Sequence, residues 1–130
     1  MRKYLYLAAV TGAIGVAAGA FGAHALKDAL TTRGTLSTWN TAVLYNIIHA
    51  PALLGTGLYL LKSPTPSSWL SKASTCWALG VGLFSGSLYC LALGGPRWLG
   101  PVTPLGGLFL LLGWLFLLGE TGKTSRVPSK

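Results

Sequence analysis

His49 is the residue whose type and place ask first for a chemical role. It falls ten residues after Trp39 in a long apolar run, with Asn46 three and Tyr45 four positions before it. At helical spacing the three crowd one face. An imidazole at such depth could relay protons or bind a ligand or metal, because polar groups inside a membrane are costly and are functional candidates by default. Ser85, Ser87 and Tyr89 reach a comparable depth in another run. We expect Asn46, His49, Ser85 and Ser87 to form one hydrogen-bonded midplane cluster around the imidazole. The preferred reading is structural: His49 donates its proton to a serine hydroxyl or to a free carbonyl, and the cluster sets how two helices pack. Both acids of the chain, Asp28 and Glu120, lie outside the apolar runs. No carboxylate is therefore at hand to pair with an imidazolium, which argues against a proton pump.

The other chemical candidates are weaker. His24 and Asp28 are four apart, so a persisting helix would place them on one face as a local pair at the membrane interface. Cys76 and Cys90 are fourteen apart and lack CxxC spacing, so free thiols are expected. The segment Gly119 to Thr124 imitates a phosphate loop, but the position five before Gly122 is Leu117 rather than glycine, and no strand precedes it. With two acids in total, acid–base catalysis has almost no raw material. We expect no enzyme, no cofactor and no metal site.

The elements that must position these residues are four apolar stretches, about 4–26, 39–61, 69–93 and 102–118. At about 1.5 Å per residue the first three can each cross a hydrocarbon core of about 30 Å, and the fourth is at the short end. The expected fold is all-α: a polytopic membrane protein, one four-helix transmembrane domain over 1–130 with a short polar tail, 119–130. Composition agrees, at 52% hydrophobic and 9% charged. Pro64 and Pro66 mark the second loop, and Gly94-Gly95-Pro96 the third. Ser37 or Thr38 is expected to cap the second span, Ser67 or Ser68 the third, and Thr103 before Pro104 the fourth. Pro51 should remove the bond that the Ile47 carbonyl would accept and kink its helix. Trp39 and Trp98 are expected at one interface, with Tyr4, Tyr59 and Trp69 at the other.

Ten lysines and arginines give a net charge of +8, and they cluster at span ends. There they anchor helices and meet anionic lipid headgroups, and no basic stripe with interleaved aromatics suggests nucleic acid. Arg2, Lys3, Lys62, Lys72, Lys123, Arg126 and Lys130 share one side; Lys27, Arg33 and Arg97 share the other. The positive-inside rule therefore places both termini in the matrix or the cytosol.

Lipid offers no hydrophobic gain for pressing helices together, so small residues and hydrogen bonds must do it. Ala8, Gly12, Gly15, Gly19 and Gly22 recur at steps of four, three, four and three, a single groove along the first span. Packing within the bundle is the favoured use of that groove, and a seam with a second subunit the alternative. Gly82-x-x-x-Gly86 and the group Gly106, Gly107 and Gly113 repeat the device. The Leu-rich run from Leu108 to Leu118 should face lipid or another subunit.

Several stretches resemble a known family: Gly19-Ala-Phe-Gly-Ala-His-Ala-Leu-Lys27, Tyr45 with His49 and Ala50 to Leu54, Leu83-Phe-Ser-Gly-Ser-Leu-Tyr89, Leu99-Gly-Pro-Val-Thr-Pro-Leu-Gly-Gly107, and Gly113-Trp114. They are similar to the small membrane-protein family of bacteria and mitochondria that includes transmembrane protein 256, a domain of unknown function. The resemblance covers about residues 4–118 and implies a four-helix integral membrane fold with no established activity. Asn46-Ile-Ile-His49 and Ala50-Pro51 depart from the family's pattern. The expected function is a non-catalytic accessory subunit of a larger membrane complex, of the respiratory chain by association, with other membrane subunits and lipids as partners. The alternative is a small carrier or channel built on the His49 cluster. The mitochondrial inner membrane is the favoured location, and the bacterial plasma membrane the alternative.

Overall fold

The computed structural model describes residues 1–124. Its helices are α1 (Arg2–Ala23), α2 (Lys27–Arg33), α3 (Leu36–Lys62), α4 (Ser68–Ala92) and α5 (Val102–Thr124), with a 3-10 turn at Arg97–Leu99 before α5. Four of them, α1, α3, α4 and α5 with its preceding turn, are long and apolar enough to cross a membrane. At about 1.5 Å per residue they measure roughly 33–40 Å. The central pair is α3 and α4; α1 packs chiefly on α3, and α5 chiefly on α4. Tyr4, Leu60 and Leu70, with Leu117 against them, gather at one end of the bundle. The start of α1 and the end of α5 therefore lie at the same end. Ala18, Leu30, Trp39 and Ala92 form the core of the opposite end.

Helix seams follow the small residues. A Cβ built at Gly12 would meet Ala50 at 3.6 Å, at Gly15 Ile47 at 2.7 Å, at Gly19 Val43 at 3.4 Å, and at Gly22 the Trp39 indole at 2.5 Å. The Gly12–Gly22 groove thus packs along one face of α3 within this chain. On the other flank Gly80 admits Leu110, Gly113 admits Trp77, Gly119 lies on the Trp69 ring, and Gly106 seats directly on the Phe84 backbone. Gly82 and Gly86, in contrast, have nothing within 4 Å of a Cβ, so this pair forms no internal seam.

Several boundaries differ from the apolar runs. The first connection contains α2, whose Leu30 is fully buried beside Trp39 and Ala92. Gly34, with φ +69°, ends it in the left-handed conformation that glycine adopts without strain. α3 starts earlier than Ser37 or Thr38; Thr35 precedes it, and its hydroxyl donates to the Ala92 carbonyl at 2.7 Å rather than capping. Thr103 lies inside α5, while Ser67 does cap α4 by accepting from Leu70 N–H. α3 continues on both sides of Pro51. The expected tail is helical as far as Thr124, held where Ser67 donates to the Glu120 carboxylate; positions 125–130 lie outside the described residues.

Two aromatics expected at interfaces turn inward. Trp39 donates its indole N–H to the Ala18 carbonyl at 2.8 Å, and the Tyr4 hydroxyl donates to the Ser71 carbonyl at 3.1 Å. Each side chain carries a donor that a neighbouring helix satisfies, so both rings can be buried. Tyr59 and Trp98 remain exposed.

A candidate functional site around His49

His49 stands midway along α3, thirteen residues from Leu36 and from Lys62. It is 3% exposed, under α5 and against α4. The indole Nε1–H of Trp114 reaches His49 Nε2 at 3.2 Å, and His49 Nδ1 lies 2.8 Å from the Tyr45 carbonyl. An indole N–H can only donate and a carbonyl can only accept. Nε2 is therefore the acceptor and Nδ1 carries the proton, which defines one neutral tautomer. Trp77 and Trp114 flank the imidazole with ring centroids at 6.2 and 6.0 Å, and lie 4.8 Å from each other. Gly113 makes room for Trp77, a large ring where the two helices would otherwise collide. Trp77 Nε1 is buried without a hydrogen-bond partner among the described residues.

The four residues expected to form one cluster do not converge. Asn46 turns to α1 and donates to the Thr11 carbonyl, while its Oδ1 accepts from the Tyr89 hydroxyl at 3.4 Å. Ser85 donates to the Ala42 carbonyl on α3 at 2.7 Å. Ser87 donates to the Phe84 carbonyl at 3.0 Å and so accepts from Thr103 of α5 at 2.6 Å. None of these reaches the imidazole. The cause is helical rotation: residues two apart on a helix point roughly 200° apart, so Ser85 and Ser87 must serve different neighbours. The proton of His49 goes to its own helix's Tyr45 carbonyl, not to a serine or to the Ile47 carbonyl.

Nor do His24 and Asp28 pair. α1 ends at Ala23, the chain turns at His24, and Asp28 falls in the first turn of α2. No hydrogen bond or ion pair joins them among the described residues. Cys76 is half-buried and Cys90 exposed, both as free thiols. Among the described residues no three His, Cys, Asp or Glu side chains gather as a metal site would require. The residues that sequence reasoning missed are Trp77 and Trp114. The signal that could have found them was Gly113, a small residue beside a tryptophan in a run otherwise made of Leu and Phe.

With both ring nitrogens engaged, the imidazole acts as a hydrogen-bonded wedge between α3 and α5. Taking up a proton or a ligand at Nε2 would first break the Trp114 bond. An open cleft of about 390 Å³ lies beside it, walled by Tyr45, His49, Phe84, Pro104, Leu108 and Trp114.

Comparison with known proteins agrees with the architecture. The family described as "Protein of unknown function (DUF423)" matches residues 18–107. A UPF0382 membrane protein of Staphylococcus epidermidis is 40% identical over 123 residues, covering 95% of this chain and 98% of its own. The UPF0382 inner membrane protein YgdD of Escherichia coli is 43% identical over 119 residues, covering 90% of this chain and 87% of its own. No solved structure matches. From the family match, these near-full-length relatives and the four spans together, the chain belongs to the DUF423 family and is an integral membrane protein.

Proposed function

We propose that the protein is a non-catalytic accessory subunit of a larger complex in a bacterial plasma membrane. One observation carries this reading: most of the polar side chains at membrane depth are spent joining helices of this chain to one another. Asn46, Ser85, Ser87, His49 and the Thr56–Ser74 pair at 2.7 Å each close a separate internal link. What is left for a partner is mainly apolar. Leu105, Leu108, Leu111, Leu115 and Leu118 of α5 are 49–65% exposed, a face suited to lipid or to the helix of another subunit. The glycine groove of α1 is not part of that docking face, since α3 fills it.

The bacterial relatives move the expected membrane from the mitochondrial inner one to the bacterial plasma membrane. Both termini are assigned to the cytosol by the charge asymmetry, with anionic lipids against the cationic ends. A respiratory complex is the expected host, since such complexes often contain small hydrophobic subunits. The carrier alternative requires Asn46, His49, Ser85 and Ser87 to line one path, whereas each serves a different link. Extraction in mild detergent, followed by native mass measurement and identification of co-migrating chains, tests the reading. Co-migration with a large defined assembly is expected. Migration as a monomer or small homo-oligomer would sink it.

A further inference from the structure

The cleft beside His49 has a length, a polarity and a position that name an occupant. Along α5 it runs from Pro104, in the first turn, to Trp114. Ten residues at about 1.5 Å make roughly 15 Å, half of a hydrocarbon core of about 30 Å. Its deep end is at the level of His49, the midpoint of α3. Its shallow end lies at the bundle end that carries α2. The cleft thus follows one leaflet from the membrane surface to the midplane.

Its walls are apolar and aromatic apart from two polar groups. The imidazole is already used on both nitrogens. The Tyr45 hydroxyl makes no hydrogen bond among the described residues, although its ring lines the cleft 4.5 Å from Phe84. A hydroxyl left unbonded in an apolar medium is unfavourable. Long side chains on a helix lean toward its N-terminus, which carries this hydroxyl toward the shallow end. No cation lines the cleft, so it offers nothing to an anionic group. Its free hydrogen-bonding capacity is a neutral donor near the edge of the hydrocarbon core. The ester carbonyl of an acyl lipid is an acceptor at that depth.

We propose that this cleft is a specific site for one acyl chain of a glycerolipid from the leaflet on the α2 side. The ester carbonyl accepts from the Tyr45 hydroxyl, and the chain lies along Gly107 and Leu108 to end against His49 and Trp114. Because Trp114 is 41% exposed and also holds His49, the chain end covers the ring that positions α5 against α3.

The test is fluorescence quenching of the purified chain in detergent micelles titrated with phosphatidylcholine brominated near the chain end, so that the lipid competes with detergent and not with an identical unbrominated lipid. The wild type is compared with Trp114→Phe, so that the difference isolates Trp114 among the five tryptophans. Quenching of Trp114 should saturate at a brominated fraction well below that which quenches the exposed Trp98. Gly107→Leu fills the cleft, and a Cβ there meets the Phe84 ring only at 3.7 Å, so the seam with α4 is preserved. In this variant the early phase should vanish. Tyr45→Phe should weaken it by about two- to tenfold, the span of one hydrogen bond. Leu108→Trp, from a position 58% exposed, closes the cleft from the lipid side should Gly107→Leu not fold. Quenching that follows bulk composition in the wild type, or an early phase surviving both filled variants, would overturn the proposal. So would displacement of the brominated lipid by a small mole fraction of an isoprenoid quinone, which would make the occupant an isoprenoid chain. These readouts use the purified chain alone and are independent of whether it has a host complex.

Discussion

Two adjacent glycines of α5 offer a controlled test of how this bundle is held together. Adding one methyl group at Gly106 puts a Cβ onto the Phe84 backbone: against its amide nitrogen, 2.8 Å from its Cα, and 2.9 Å from the Leu83 carbonyl carbon. Ordinary contact is about 3.5–4.0 Å, so α4 and α5 must separate by the better part of an ångström. Backbone atoms cannot rotate away as a side-chain end can. Overpacking of this kind costs about 1–3 kcal/mol. At Gly107 the same methyl meets the Phe84 ring edge at 3.7 and 3.9 Å, which is ordinary contact. There alanine should be neutral or should stabilise by up to about 1 kcal/mol, through its better helix propensity. The two variants, Gly106→Ala and Gly107→Ala, should therefore differ by about 1–4 kcal/mol. Reversible unfolding in mixed micelles, followed by tryptophan fluorescence, measures that gap directly. Gly82→Ala, where a Cβ meets nothing within 4 Å, is the reference for propensity alone. Equal stabilities for Gly106→Ala and Gly107→Ala would refute the claim that backbone contact at Gly106 holds α5 on α4.

Two further outcomes are expected. Asn46→Ala and Ser87→Ala break bonds to α1 and to α5 respectively, so each should cost about 0.6 kcal/mol. Their double mutant should be additive within about 0.5 kcal/mol; a larger coupling energy would restore the single midplane cluster. In a background with Cys76 and Cys90 replaced by serine, Gly15→Cys with Ile47→Cys should form an intrachain disulfide under mild oxidation, because the built Cβ of Gly15 lies 2.7 Å from Ile47 Cγ1. Covalent dimers as the main product would show instead that the groove is an intersubunit seam.

Four spans could be read from the chain because apolar length is a one-dimensional property. A run of about twenty residues without acids has few other homes than a bilayer. The glycine groove of α1 was legible for the same reason, since a three-and-four spacing is written along a single helix. α2 was not: seven residues with Leu30 as their one buried side chain leave too weak a periodic signal. Two helix ends differ from the apolar runs where a side chain meets another helix: α3 begins after Thr35, which bonds Ala92, and α5 runs on past Glu120, which bonds Ser67.

The polar residues were found in the sequence, but not their partners. Asn46, His49, Ser85 and Ser87 stood out because polar groups are rare in apolar runs, and that rarity carries no direction. Which neighbour each one meets depends on how α3 and α4 are rotated and on which helices flank them. An apolar helix whose whole circumference suits lipid does not write its rotation into its hydrophobic pattern. Here the rotation follows from close packing at Gly80, Gly106 and Gly113, where backbone and rings of one helix enter gaps in the other. That packing alone brought Trp114 to His49 and opened the cleft beside Tyr45. Sequence by itself determined that the chain spans the membrane four times; contact between helices decided what the imidazole touches.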